Sequence, residues 1–80
     1  MLHDLTSGKK VVGIKQLRKA VAAKAVKTVF LACDADPFLT DPVRELCREN
    51  DIAVVDVPTM AELGRACGIS VSASAAGLLQ

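Results

Sequence analysis

Five residues near the amino end of this 80-residue chain combine a bare glycine with cations: Gly13, Ile14, Lys15, Gln16 and Lys19. They open a predicted helix in which Ile14, Leu17, Ala20 and Val21 form one apolar stripe, leaving Lys15, Gln16 and Lys19 on the other side. The N–H groups of a first helical turn already carry about half a positive charge, so cations are disfavoured there. No Ser, Thr, Asp or Asn is placed to cap this start, and Lys15 and Lys19, four apart, repel one another. An anion at the helix start removes both penalties, because it meets free N–H groups and two ammonium groups together. Gly13 lets a bulky ligand approach the backbone, and the Gln16 amide can donate to and accept from a base edge. The set suits nucleic acid, with lysines for phosphates or guanine edges and an amide for bases. An uncapped, solvated helix face is the ordinary alternative.

Two further stretches carry chemistry-bearing residues. In "LACDADP" the carboxylates Asp34 and Asp36 follow an apolar run and precede Pro37. Two acids at this spacing can share a divalent cation or accept base N–H groups, but a tight turn explains them as simply. A metal-dependent enzyme would also need a third acid and a base or nucleophile nearby, and no such set is recognisable. In "DVPTMAELGRACG", Thr59 with Glu62 three residues on is a capping box, and Gly68 closes the helix. Val57, Pro58 and Met60 beside it offer a stiffened loop and a soft apolar contact.

Composition narrows the classes. Two Phe and no Tyr or Trp argue against a module that stacks single-stranded bases on aromatics. Net charge is only +1, yet residues 1–30 hold seven Lys or Arg and one Asp, a local +6. Residues 31–80 hold three Arg and eight acids, a local −5. Such a split predicts a basic face toward an anionic partner. Cys33, Cys47 and Cys67 are odd in number, lack CxxC spacing and stand among apolar neighbours, so they read as buried thiols in a reduced cytoplasmic protein. His3 alone makes no metal site. No stretch is long and apolar enough for a membrane span, and the amino end has no signal-peptide core.

The elements that must position these residues alternate. "LHDLTSG" reads as a short helix closed by Gly8, "KVVG" as a strand, and Ile14 to about Lys24 as a helix. "VKTVFLAC" and "IAVVDV" read as buried strands. Between them "LTDPVRELCREN" reads as a helix with Thr40 or Asp41 as N-cap and Pro42 in its first turn. After the Thr59 helix, "ISVSASAAGLL" alternates Ile69, Val71 and Ala73 with serines and predicts a strand from its start. The expected fold is therefore a single α/β domain over residues 1–80, with helices covering a four-stranded sheet. The three candidate loops all follow strands, where such folds gather ligand-binding groups.

In this order and spacing, "GxKQxxK", "LAxDADP" and "VPTxxELGRACGI" together resemble the L7Ae-like family of kink-turn-binding ribosomal and ribonucleoprotein components. The bacterial variants, which also carry Lys-Gln at positions 15–16, are the most similar. The likeness runs from Gly8 to about Ala76. It implies a three-layer α/β/α sandwich with a central mixed sheet, no catalysis, no cofactor and no metal. It also implies recognition of kink-turns in ribosomal RNA or a riboswitch, with neither DNA nor membrane as partner and a monomer when free. In that family the helix start, here Gly13, Ile14, Lys15, Gln16 and Lys19, enters the widened groove at sheared G·A pairs. Asp36, with Asp34 near it, would hold a flipped-out nucleotide, and Val57, Pro58, Thr59 and Met60 would wall it. Lys15 replaces an amide common in the family, which turns base contacts toward phosphate, and Met60 stands where many relatives carry Lys. Two other classes fit the residues less fully: a DxD metal enzyme, and a protein-interaction domain within a ribonucleoprotein.

Overall fold

The computed structural model describes residues 9–80; the helix expected over "LHDLTSG" lies outside them. Strands β1 (Lys10–Val12), β2 (Val26–Ala32), β3 (Ala53–Val57) and β4 (Ala75–Leu79) alternate with helices α1 (Ile14–Ala22), α2 (Pro37–Glu49) and α3 (Met60–Ala66). The sheet order is β1-β4-β2-β3. β2 and β3 are parallel, and β4 runs antiparallel to both β1 and β2. The carboxyl ends of β1, β2 and β3 therefore share one end of the sheet with the amino end of β4. That is the geometric fact on which the site depends.

The layers follow from strand alternation. Val29 and Leu31 of β2 face Leu17 and Val21 of α1 and Val43 and Cys47 of α2. Phe30 and Ala32 face Leu63 and Cys67 of α3 on the other side. Two helices on one face and one on the other make the expected three-layer α/β/α sandwich around a mixed sheet. β4, the antiparallel strand between β1 and β2, is buried on both faces and so reads "AAGLL" without alternation. Gly77 within it carries α1 close above the sheet: a Cβ there would stand 2.5 Å from Leu17 Cδ1.

Three expectations are corrected. α2 starts at Pro37 with Asp36 as N-cap, not at Thr40 or Asp41, and Pro42 lies inside the helix. The chain offers Asp-Pro twice, and the first pair wins because it lets Thr40 and Val43 turn into the core. The last strand starts at Ala75 rather than Ile69. Residues 69–74 instead cross α3 at Gly64, where an added Cβ would lie 2.1 Å from the Val71 carbonyl oxygen. Cys33 is exposed, whereas Cys47 and Cys67 are buried as expected. α1 and α2 both end without glycine, passing into the left-handed region at Lys24 (φ 58°) and Asp51 (φ 55°).

Candidate nucleic-acid interface

The three helices among the described residues begin at the same end of the sheet, and the fold satisfies their first turns differently. α2 is capped by Asp36, whose Oδ1 accepts from the Phe38 N–H at 3.0 Å. α3 is capped by Thr59, whose Oγ1 accepts from the Glu62 N–H at 3.1 Å, with Glu62 in its first turn as the capping box requires. Asp34 reaches across from the β2–α2 loop, and its Oδ1 accepts from the Met60 N–H at 2.7 Å. α1 has none of this. Its N-cap is Gly13, no side chain caps it, and its first turn holds no acid.

Gly13 adopts φ 103°, ψ 149°, a conformation nearly closed to residues with a Cβ. Its N–H donates to the Ala75 carbonyl at 2.9 Å, fastening the start of α1 to the start of β4. A Cβ at Gly13 would meet nothing within 4 Å, so the requirement is backbone conformation and the space beside it is open. Lys15, Gln16 and Lys19 are exposed, and Ile14 is half-buried against the core beneath α1 and α2. Among the described residues no carboxylate lies within ion-pair distance of either lysine, while Arg44 pairs with Asp56 at 2.8 Å and Arg48 with Glu45.

The other expected site residues divide. Asp34 and Asp36 are exposed, but each already accepts a backbone N–H, so the acidic turn is first a device that fixes helix starts. Pro58 is exposed and Thr59 and Met60 are half-buried. Val57 points inward at 1% exposure, so only its backbone belongs to the loop, where its carbonyl accepts from the Cys33 N–H at 2.7 Å. Met60 is tied on two sides: its carbonyl accepts from the Ala73 N–H at 3.0 Å, and its sulfur lies 3.7 Å from the Ser74 hydroxyl. These ties join three strand-end loops and the segment before β4 into one continuous surface.

Two strongly exposed apolar groups carry no signal in the sequence. Phe38, second residue of α2, is 89% exposed, and Val71 in the segment before β4 is 67% exposed. Phe38 was hidden by the misplaced start of α2, and Val71 by the strand expected over 69–74. The continuous apolar run "AAGLL" was the available signal that β4 is central and that 69–74 precedes it.

A family model described as the ribosomal protein L7Ae/L30e/S12e/Gadd45 family matches residues 3–80. The chain belongs to that family. Membership sets aside the DxD enzyme alternative, because the family is non-enzymatic and the chain is not an enzyme. An RNA-binding protein of Caldanaerobacter subterraneus subsp. tengcongensis is 46% identical over 68 residues, 85% of this chain and 83% of that protein. An RNA-binding protein of a Geobacillus species is 40% identical over 76 residues, covering 95% and 93%. Among solved structures, a 15.5-kD RNA-binding protein of Giardia lamblia superposes with a TM-score of 0.93 at 25% identity, over 99% of this chain and 70% of that one. Among the described residues no helix is long and apolar enough to cross a membrane.

Proposed function

We propose that this chain binds RNA and recognises kink-turns, stabilising the bent form in ribosomal RNA or a riboswitch. The observation that carries the reading is the start of α1: of the three helix starts among the described residues, it alone is uncapped, glycine-opened and followed by lysines with no carboxylate in ion-pair distance. The RNA-binding names of the relatives support the partner class. The Gly13–Lys19 segment supplies N–H groups, Lys15 and Lys19 meet phosphates or guanine edges, and Gln16 addresses a base. A regular A-form helix keeps its major groove too narrow for side chains, so only a bent, widened RNA accepts α1. Asp36 and Asp34 keep a second, weaker role at the bulge beside Pro58, Thr59 and Met60.

Binding then acts by population shift. The bent RNA engages the helix start and the extended one does not, so the protein moves the equilibrium by that difference in affinity. No chemical step is involved, and the chain acts in the cytoplasm as a monomer. The test is titration of a doubly end-labelled kink-turn RNA, read by fluorescence transfer at fixed salt. A control RNA has its tandem G·A pairs replaced by Watson–Crick pairs. Tight binding with folding of the first RNA alone is expected, and Lys19→Ala should weaken it by about 1–3 kcal/mol. Equal, weak binding to both RNAs overturns kink-turn recognition and leaves a basic face only.

A further inference from the structure

A groove between α1 and α2 adjoins the candidate interface but runs beyond the residues assigned to it. It is lined by Ile14, Lys15, Arg18, Lys19 and Ala22 of α1 and by Leu46 of α2, around a volume of ≈ 700 Å³. Three of these six residues are cations and none is acidic, although α2 carries acids elsewhere. Arg18 is exposed, and among the described residues it has no carboxylate within ion-pair distance, unlike Arg44 and Arg48. It also compounds the like-charge cost of α1, because it follows Lys15 by three residues, a spacing that shares a helix face. Among the described residues no ion pair repays that arrangement.

We propose that the groove carries the sugar–phosphate backbone of one stem flanking the bend, with Arg18 as a further RNA-contacting residue. The inference rests on the RNA reading above and extends it. Continuity selects the occupant: Lys15 and Lys19 belong both to the helix start and to the groove, so RNA seated at the first already reaches the second. Ile14, Ala22 and Leu46 give the ribose edges an apolar floor, while Arg18 and Lys15 meet successive phosphates along α1. Guanidinium forks bind phosphate in a bidentate manner, which lets Arg18 fix the direction in which the stem leaves the bend. Contacts of this kind position the RNA without reading its sequence.

The experiment titrates the full chain and Arg18→Gln against three kink-turn RNAs over a series of salt concentrations. One RNA has two long stems, and in each of the others one stem is cut back to the pairs at the bend. Arg18→Gln is expected to weaken long-stem binding about three- to tenfold and to reduce the slope of log Kd against log salt by about one. The loss should vanish when one particular stem is shortened and persist when the other is. Arg18→Lys should recover part of the affinity, and Ala22→Glu, a carboxylate one turn along the groove, should reproduce the loss on the same RNA. Equal affinity and slope for the two proteins overturns the proposal, as does a loss indifferent to both stems. Failure of the unmodified chain to bind any of the three overturns the RNA reading itself, and the groove with it.

Discussion

α1 and α2 lie on the same face of the sheet, begin at the same end and bury the same kind of apolar stripe, yet their first turns are opposites. α2 opens on Asp36, a proline at N1 and an internal hydrogen bond to Phe38. α1 opens on Gly13, with no capping side chain and a lysine at its second residue, while Lys19 already lies in its last turn. α3 follows α2, with Thr59 and Asp34 both accepting from its opening amides. A fold able to cap two of its helices had the means to cap the third. In the proposed function, what stays unsatisfied at α1 is what an anionic partner outside the chain would meet, and the substitutions below test that reading.

The sharpest way to break this comparison is to give α1 what α2 has. Lys15→Glu places a carboxylate in the first turn and sets Glu four residues before Lys19, the favourable order for such a pair. Folding stability should rise by about 0.5–1 kcal/mol in urea titration. Affinity for kink-turn RNA should fall more than about tenfold, a loss of at least ~1.4 kcal/mol on the scale of a specific contact. Opposite signs in the two measurements are the signature of a residue kept for binding at the expense of the fold. A substitution that lowers both, or raises both, removes the argument.

Gly13→Ala tests the backbone half of the same feature. At φ 103°, ψ 149° the added methyl meets no neighbour but forces a residue with a Cβ into a conformation open essentially to glycine. The expected cost is about 1–3 kcal/mol of stability, with RNA affinity falling in parallel because the start of α1 shifts from its bond to Ala75. Gly64→Ala provides the contrast. There the φ is ordinary and the obstacle is the Val71 carbonyl 2.1 Å from the new carbon, so about 1–3 kcal/mol is lost through forced displacement of residues 69–74. A crystal structure of that variant should show the segment moved and α1 unmoved.

How much of this was legible beforehand differs by kind of signal. The helix start at Gly13–Lys19 was plain, because a missing cap and like charges are local facts of sequence. The order of strands and helices was plain for the same reason: β-branched runs and apolar stripes announce themselves. The start of α2 was misread because Asp-Pro occurs at residues 36–37 and again at 41–42, and only the burial of Thr40 and Val43 decides between them. Residues 69–74 were misread because alternation in "ISVSAS" mimics a half-buried strand, whereas the cause of their course is Gly64, a contact invisible in one dimension. The sequence places Val57 in the binding loop, but its side chain is the last inward residue of β3. Exposure of Cys33, just past β2, is likewise a matter of where the strand stops.

Asp36→Ala and Thr59→Ala probe the satisfied side of the comparison. Each removes one cap acceptor and should cost about 1 kcal/mol of stability. If the acidic turn serves mainly to fix helix starts, Thr59→Ala and Asp36→Ala should change RNA affinity by similar, small factors in the fluorescence titration. A markedly larger loss for Asp36→Ala would show that its carboxylate also holds a nucleotide, and would move the acidic turn to the binding side of the divide.

The smallest expected effect separates α2 and α3 from α1 by their thiols. Cys47 sits in α2 and Cys67 at the end of α3, and burial pushes both thiols above their ordinary range against the weaker opposing pull of Arg44 and Lys10. A folded-state value above the unfolded one means that the native state holds the proton more tightly. The associated stability is therefore fully present below the unfolded thiol value of about 8.5 and is lost as pH rises through the folded value. Urea midpoints should fall as pH rises above about 8.5, and the double variant Cys47→Ala with Cys67→Ala should flatten that fall while lowering stability overall. Hydrogen exchange in the same window should quicken at the amides of α2 and α3 before those of α1, which buries no thiol. Protection lost first in α1 would show that its bare start, and not the buried thiols, is where the fold gives way.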